Sequence, residues 1–209
     1  MSESIALNID CMEYMATLPD NAFDLAIVDP PYGIGISSNP VRQAHEKKNW
    51  DKSIPSKEYF IELFRVSKNQ IIWGGNYYDL PPTQNLIVWD KKQPEDFSLA
   101  MCEFAWCSIQ MPAKIFSYSV LKEKGKIHPT QKPVALYEWL LNNYAKQGDR
   151  ILDTHLGSGS SRIAAYNLGF DFVGCEIDKE YFDKQEERFA RHTAQTSLFV
   201  EGFDEQSLL

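Results

Sequence analysis

The sequence predicts an α/β fold with a mostly parallel central sheet. Short apolar runs alternate with longer stretches of helical periodicity, the pattern of strands joined by crossover helices. Turns at Gly148-Asp149 and Gly169-Phe170-Asp171 mark returns from helix to strand. With 209 residues, the chain has the length of one domain with a sizeable core.

Each short apolar run predicts a strand, and each stretch with helical spacing predicts a helix. The predicted strands are Ile5–Ile9, Leu25–Val28, Gln70–Trp73, Leu86–Trp89, Glu103–Ser108, Arg150–Asp153 and Phe172–Glu176. The predicted helices are Cys11–Leu18, Lys57–Ser67, Val134–Ala145, Ser160–Leu168 and Lys179–His192. In the third helix, Leu136, Trp139 and Leu140 fall on one face, which predicts a stripe facing the core.

Three segments follow neither period. Residues 33–55 and 110–127 are long and polar, and irregular segments of this length in a compact domain usually carry function. From Thr193 onward, apolar periodicity is absent until the end. We therefore predict one domain over residues 1–192 and a C-terminal tail over residues 193–209.

Composition argues against several classes of protein. The 44% of hydrophobic and 24% of charged residues are typical of a soluble globular domain. No apolar run approaches the roughly 18 residues of a membrane span, and residues 1–4 lack the features of a secretion signal. The four cysteines lack zinc-type spacing, which favours reduced thiols. We expect a cytoplasmic protein without a membrane partner or a metal.

Charge is unevenly distributed along the chain. Residues 1–32 carry six acids and neither Lys nor Arg, whereas residues 33–127 carry thirteen basic and ten acidic groups. The remaining residues are again acidic, and the net charge is −8. A basic middle between acidic flanks permits contact with phosphates, but a solvated Lys-rich loop would have the same composition.

The first motif, Asp29-Pro30-Pro31-Tyr32, follows an apolar strand. Ligands of open α/β sheets bind beyond the carboxyl ends of strands, so this turn faces a site. The prolines favour extended geometry, which would aim the Asp29 carboxylate and the Pro30 carbonyl outward as adjacent acceptors. Two acceptors match the two donors of an amino group, and Tyr32 offers a planar face for stacking. The alternative is a strand-ending turn with a structural acid.

The second motif is Asp153-Thr154-His155-Leu156-Gly157-Ser158-Gly159-Ser160-Ser161, between a strand and a helix. Its glycines permit close approach by a ligand, and Ser160 or Ser161 can cap the helix. Glu176 ends the next strand, about twenty residues on, where an acid can bind ribose hydroxyls. The loop lacks G-x-G-x-x-G and a following Lys, which favours a phosphate-free nucleoside such as S-adenosylmethionine. A solvated acid at a strand end is the alternative for Glu176.

The third motif, His128-Pro129-Thr130-Gln131-Lys132-Pro133, leads into a predicted helix. Pro133 suits a first helical turn and Thr130 can act near the cap, so physics alone indicates a helix start. His128 by itself is more typical of a hydrogen-bonded structural histidine than of a catalyst.

Together the motifs resemble the amino-methyltransferases of bacterial and phage DNA modification, in their circularly permuted, beta-class arrangement. In that family D-P-P-Y comes first, H-P-T-Q-K-P second and D-P-F-x-G-S-G-T third. The chain has the first two intact and a variant of the third, in this order, over residues 5–192. Asp10, in Leu7-Asn8-Ile9-Asp10-Cys11, resembles the family's acid that contacts the cofactor adenine. Gly74-Gly75-Asn76-Tyr77 and Trp89-Asp90-Lys91 resemble its weaker middle motifs.

The resemblance implies a three-layer sandwich with a mostly parallel, Rossmann-like methyltransferase sheet. It also implies an enzyme that methylates N6 of adenine in DNA by base flipping and direct displacement, with S-adenosylmethionine as cofactor and no metal. The implied catalytic residues are Asp29, Pro30, Pro31 and Tyr32. The implied cofactor-binding residues are Asp10, Asp29, Thr130, Lys132, Asp153, Gly157, Gly159, Ser160 and Glu176.

The same resemblance makes residues 33–55 and 110–127 candidate DNA-contacting loops. The predicted DNA contacts are Lys114, Lys122, Lys124 and Lys126. Two features depart from the family: Thr154-His155 replaces its Pro-Phe, and only about twenty irregular residues are left for the usual target-recognition region. Two alternatives stay open: a cytosine-N4 methyltransferase, and a non-catalytic DNA-binding or regulatory subunit on the same scaffold.

The segment Gln195-Thr196-Ser197-Leu198-Phe199 resembles the short peptide by which many bacterial proteins dock on the sliding clamp of DNA polymerase. Leu198 and Phe199 would fill an apolar pocket, and Gln195 would anchor the peptide by hydrogen bonds. The alternative is that Leu198 and Phe199 fold back onto the domain. A homodimer is a further hypothesis about partners.

Overall fold

The computed structural model describes residues 2–35, 51–94, 100–119, 122 and 125–204, with backbone alone over residues 196–204. The strands are β1 Ser4–Leu7, β2 Phe23–Val28, β3 Ser67–Trp73, β4 Leu86–Asp90, β5 Cys102–Cys107, β6 Lys114–Ser117, β7 Arg150–Asp153 and β8 Asp171–Cys175. The helices are α1 Cys11–Ala16, α2 Lys57–Val66, α3 Val134–Tyr144, α4 Ser160–Leu168 and α5 Lys179–Asp204. A short 3-10 helix, Gly75–Tyr77, follows β3.

The strands form one sheet in the order β1-β8-β7-β2-β3-β5-β4-β6. Among the described strands, β5 alone runs against its neighbours, β3 and β4. The other pairings are parallel, as crossover helices require. The predicted mostly parallel α/β sheet is therefore confirmed.

Two apolar cores cover the two faces of the sheet. On one face, α3 and α4 pack on the strands, with Leu136 and Leu140 fully buried. On the other face, Met15 of α1 and Leu63 of α2 are fully buried against the sheet. The result is the predicted three-layer sandwich. Within the described residues, no helix is long and apolar enough to cross a membrane.

Two element predictions were wrong. Residues 110–127, expected to be irregular, contain β6, which pairs in parallel with β4 at the sheet edge. Its four residues are too few for a periodic signal, and only long-range pairing defines this strand. In addition, α5 continues to Asp204, beyond the predicted end of this helix at His192. Residues 193–204 contain no proline, so nothing in the backbone stops the helix where its apolar stripe weakens.

Candidate active site

The strand order reverses between β2 and β7, and the first two motifs meet at this point. From β2 the chain continues to β3 on one side, whereas from β7 it continues to β8 on the other. The carboxyl ends of strands at such a reversal form the crevice where open α/β sheets bind ligands. Asp29 follows β2, and a cavity of about 610 Å³ lies beside it. This volume is in the range of small-molecule sites.

Asp29 lies in the wall of this cavity with both carboxylate oxygens hydrogen-bonded. The Tyr32 hydroxyl donates to Oδ1 at 2.7 Å, and Lys132 Nζ donates to Oδ2 at 2.5 Å. Burial raises the pKa of Asp29, although the Lys132 ammonium acts in the opposite direction. Each oxygen keeps a second acceptor position, so Asp29 can still receive a hydrogen bond from a group in the cavity.

The second expected acceptor, the Pro30 carbonyl, already accepts a hydrogen bond within the protein. The Pro30 carbonyl is buried and accepts a hydrogen bond from the Tyr78 hydroxyl at 2.8 Å. The same hydroxyl lies 3.1 Å from the Pro31 carbonyl. Tyr78 follows the 3-10 helix, an element that the sequence pattern did not predict. Tyr78 therefore holds the Pro30 carbonyl in place, and this carbonyl, like each Asp29 oxygen, keeps a second acceptor position.

Tyr32 also differs from its expected role as an open stacking surface. Its ring stacks on Tyr77, with centroids 5.1 Å apart and planes at 17°. Gly74 lies beneath the same ring, because a Cβ atom at Gly74 would be 2.4 Å from Tyr32 Cε1. Tyr77 is 42% exposed and lines the cavity. Tyr77 therefore presents an exposed aromatic ring to the cavity, which Tyr32 and Phe104 also line.

Two lysines and a second carboxylate surround the Asp29 side chain. Lys132 Nζ lies 3.1 Å from Glu103 Oε2, and Lys91 Nζ lies 2.5 Å from Glu103 Oε1. Burial alone would raise the pKa of Glu103, but Lys132 and Lys91 hold it at about 2. Sequence reasoning placed Lys132 at the cofactor and missed Glu103. A single acid in a predicted strand carries no signal of the lysines that the fold brings to it.

The loop after β7 is organised by Asp153. Its carboxylate accepts from the Ser161 hydroxyl at 2.5 Å and from the His155 backbone N–H at 3.0 Å. Asp153 is 1% exposed, and burial raises its pKa to about 7. These contacts assign Asp153 to the shape of the loop; it presents almost no surface to a ligand.

The glycines of this loop have the backbone conformation expected of them, but the helix cap differs from the prediction. Gly157 and Gly159 have φ of +52° and +72°. The N-cap of α4 is Gly159, without a side-chain cap, whereas Ser160 or Ser161 was expected there. The Ser160 hydroxyl instead accepts from Arg188 of α5 at 2.9 Å. Ser160 is 2% exposed, so it stabilises the loop from the interior of the protein.

Glu176 and Asp10 lie at the carboxyl ends of neighbouring strands, β8 and β1. The Glu176 carboxylate accepts from the backbone N–H groups of Gly157 and Asp178, both at 2.8 Å. Asp10 caps α1, with Oδ1 accepting from the Met12 N–H at 2.7 Å. Glu176 therefore borders the glycine loop, and each of the two acids holds backbone in place.

An aromatic contact occurs where the family's Pro-Phe is replaced. The His155 ring packs edge-on against Tyr59, with centroids 5.4 Å apart. The Tyr59 hydroxyl is 2.7 Å from Thr154 Oγ1. Burial lowers the pKa of His155 to about 4, so its imidazole is neutral near pH 7. Thr154 and His155 thus join the loop to α2.

The third motif spans both halves of the site. His128 Nδ1 lies 3.0 Å from Thr130 Oγ1, and the His128 ring packs edge-on against Tyr181 of α5. The ring also lies beside Gly157. Thr130 and Lys132 line the cavity with Asp29. Pro133 is the N-cap of α3, one residue before the predicted helical position.

The predicted DNA-contacting lysines divide into different environments. Lys114 Nζ donates to Asn143 at 2.7 Å and lies over the Tyr144 ring, so it fastens β6 to α3. Lys122 and Lys126 are exposed, and Lys126 lines the cavity. Lys124 and residues 36–50 of the predicted loop lie outside the described residues.

The remaining predictions concern metals and partners. Among the residues that the structure describes, no group of three or more potential ligands could hold a metal ion. Gln195 lies in α5, whereas the Leu198 and Phe199 side chains are outside the described part of the chain. Clamp docking and a homodimer stay predictions.

Known proteins resemble this chain over most of its length. The type II methyltransferase M.HinfI of Haemophilus influenzae is 25% identical over 237 residues, covering 86% of this chain. The chain spans 66% of the length of that protein. M2.MboI of Moraxella bovis is also 25% identical, covering 86% of this chain and 85% of the relative.

Solved structures share the fold. The M1.HpyAVI–SAM complex superposes with a TM-score of 0.60 at 21% identity, covering 88% of this chain and 98% of that one. The cytosine-N4-specific PvuII DNA methyltransferase superposes with a TM-score of 0.63 at 13% identity, covering 90% and 87%. Residues 72–187, more than half of the sequence, match the N6_N4_Mtase family of DNA methylases. The chain therefore belongs to this DNA methylase family.

Proposed function

We propose that this protein transfers a methyl group from S-adenosylmethionine to the exocyclic N6 amino group of adenine in DNA. The observation that carries the proposal is the position of the Asp29 carboxylate, in the wall of a cavity at the strand-order reversal. The glycine loop after β7 lies on the other side of the same reversal. One site can thus bring an amino group and a methyl donor together.

S-adenosylmethionine is the cofactor, and it supplies a methyl group on a positively charged sulfonium. The residues around the glycine loop fit such a molecule. Glu176 and Asp10 are acceptors for hydroxyl and amino donors, and each carboxylate oxygen can take a second hydrogen bond. Residues 1–32 contain no Lys or Arg, which suits a cationic ligand. SAM is present in the similar M1.HpyAVI structure.

Asp29 handles the amino group of the base. Its charged carboxylate accepts an N–H of the amino group, which orients the nitrogen lone pair away from the ring and toward the methyl donor. Positive charge builds on that nitrogen during transfer, and the nearby carboxylate stabilises it. The transfer is a direct displacement without a covalent enzyme intermediate: the N–CH3 bond forms as the S–CH3 bond breaks, the sulfur keeps that electron pair, and one amino proton then leaves to water.

The cavity receives a base that has left the double helix. Extruding a base costs a few kcal/mol, which stacking and phosphate contacts offset. The exposed face of Tyr77 is the stacking surface, because Tyr32 is already covered by Tyr77 itself. Exposed Lys122 and Lys126 contact phosphates near the cavity mouth.

Cytosine N4 is the alternative target, because it presents the same amino group and the similar PvuII enzyme is cytosine-N4-specific. We favour adenine because an aspartate at the first motif position, Asp29, leans to adenine in the family that the motifs resemble. The non-catalytic scaffold is disfavoured, since both Asp29 and Glu176 are intact and in place.

Single-molecule sequencing of genomic DNA from a host expressing the protein tests this function, because it reports the modified base and its sequence context together. We expect N6-methyladenine at a defined sequence, absent from the same host without the gene. N4-methylcytosine would establish the alternative target, and unmodified DNA would argue for the non-catalytic scaffold.

A further inference from the structure

Four charges of alternating sign form a chain that ends at the Asp29 carboxylate, and the side chains of its two acids, Asp29 and Glu103, are 16% and 24% exposed. Lys91 contacts Glu103, Glu103 contacts Lys132, and Lys132 contacts Asp29, with N–O distances of 2.5, 3.1 and 2.5 Å. The side chains of Lys132 and Lys91 are 2% and 10% exposed. The chain carries two positive and two negative charges and is neutral as a whole.

Residues from every surrounding element face this chain. Lys132 Nζ lies 5.2 Å above the Trp73 ring of β3 and 5.6 Å above the Tyr32 ring. The Tyr32 hydroxyl also reaches Glu103, at 3.3 Å. From other elements, Tyr78 after the 3-10 helix, Tyr137 of α3 and Asp153 of β7 face the chain: burial raises the pKa of each, and the negative charge of Asp29 adds to the rise.

Low solvent exposure makes each charge depend on its neighbours. Water screens little at this depth, so a charge without its partner would be strongly destabilised. Lys132 stays protonated because Asp29 and Glu103 flank it. Glu103 in turn is balanced by Lys91 from the end of β4. Asp29 is therefore linked to residues that it does not touch.

We propose that Glu103 and Lys91 are positioning residues of the methyl-transfer site, which hold the Lys132 ammonium against Asp29 and so keep the Asp29 carboxylate aimed at the amino group. This inference rests on the proposed function of Asp29. Neither residue needs to touch the cofactor or the methyl group. Their effect reaches Asp29 through Lys132 and, for Glu103, also through the Tyr32 hydroxyl.

Because the charges of the chain alternate in sign, two near-isosteric variants should shift the pKa of Asp29 in opposite directions. Glu103→Gln leaves the cluster with an excess positive charge, which favours the charged form of Asp29. The pKa of Asp29 then falls, and methyl transfer persists to lower pH. Lys91→Met leaves an excess negative charge, which favours the protonated form of Asp29. The pKa of Asp29 then rises. As the pH is lowered, methyl transfer is therefore lost at a higher pH than in wild type. The double variant restores neutrality.

The test is the acid limb of kcat against pH, measured at saturating cofactor and DNA. We expect the midpoint to move by roughly 0.5 unit or more, downward for Glu103→Gln and upward for Lys91→Met, with the double variant near wild type. A lower kcat with an unmoved midpoint would mean a merely structural role. Shifts of both single variants in one direction would also overturn the proposal.

A second readout does not depend on methyl transfer. The carboxyl carbon of Asp29 can be titrated by NMR in protein with labelled aspartate, and assigned by its loss in Asp29→Asn. This assignment separates it from Asp153, whose pKa is about 7. Opposite shifts in the two variants support the charge chain, and equal or absent shifts overturn it. An inactive wild-type protein would refute the proposed function, while this titration would still decide the charge chain.

Discussion

A carboxylate that accepts a hydrogen bond from a DNA base must be charged, shielded from water and still open on one side. Asp29 meets the first condition because the Lys132 ammonium beside it favours the charged carboxylate against the effect of burial, and the third because, among the described residues, one protein donor reaches each oxygen. Asp29, Tyr32 and Lys132 could be found in the sequence because each belongs to a contiguous motif. Glu103 could not, since strand pairing and the Lys91 and Lys132 contacts give it its role.

Tyr77 offers a test of base binding at a single residue. Tyr77→Ala removes the exposed ring beside Asp29 and should weaken DNA binding about tenfold, since stacking contributes about 1–3 kcal/mol per base. Tyr77→Phe keeps the ring and should bind as wild type. Fluorescence titration with a DNA duplex measures both, and calorimetry checks that S-adenosylmethionine affinity is unchanged. Wild-type DNA affinity in Tyr77→Ala would remove Tyr77 from the site.

At the scale of elements, the sequence predicted what hydrophobic periodicity or turn chemistry encodes. Strands β2 and β7 and helices α3 and α4 were expected within two residues of their observed ends. The sequence did not predict the 3-10 helix or β6, because both are too short to show hydrophobic periodicity. These short elements nevertheless shape the site, since the 3-10 helix carries Tyr77 and leads into Tyr78.

Gly74, at the start of the 3-10 helix, makes a prediction about this element. Gly74→Ala adds a Cβ at 2.4 Å from the Tyr32 ring, on a backbone with φ of +72°. We expect a loss of about 2–3 kcal/mol of unfolding free energy and at least tenfold slower methyl transfer, because Tyr32 must move from Asp29. Urea denaturation and a methylation assay measure the two effects.

Gly169→Ala is the matched control for this variant. Gly169 has nearly the same φ, +73°, but its added Cβ would meet only the Gln147 amide at 3.8 Å. It should therefore lose about 1 kcal/mol from backbone strain and keep full activity. Equal losses of stability and activity in the two variants would show that the Tyr32 contact has no special role.

At the scale of the molecule, the net charge is −8, yet part of the surface is suited to DNA. Acids lie at the carboxyl ends of β1, β7 and β8, whereas the exposed Lys126 lines the cavity; Lys91 and Lys132 also line it but are buried and paired with Glu103 and Asp29. The sequence predicted this division only as blocks of charge. The fold distinguishes the lysines further, since the Lys114 side chain is hydrogen-bonded to α3.

The salt dependence of DNA binding tests this surface. Lys122→Glu with Lys126→Glu should flatten the slope of log affinity against log salt by about two, because each phosphate contact contributes nearly one. The control, Lys68→Glu with Lys146→Glu, makes the same charge change at the amino ends of β3 and β7 and should leave the slope as in wild type. Equal slopes in both double variants would show that Lys122 and Lys126 lie on a solvated surface and do not contact phosphates.

The central claim is that Asp29 addresses the base and not the cofactor, and single-turnover methyl transfer by Asp29→Asn tests it most directly. The amide keeps the size of the side chain but loses the charge that the amino group requires. We expect transfer to slow at least about 100-fold, near 2.7 kcal/mol of transition-state stabilisation. Calorimetric affinity for S-adenosylmethionine should stay within about twofold of wild type. Transfer at the wild-type rate, or loss of cofactor binding with transfer retained at saturation, would contradict the account.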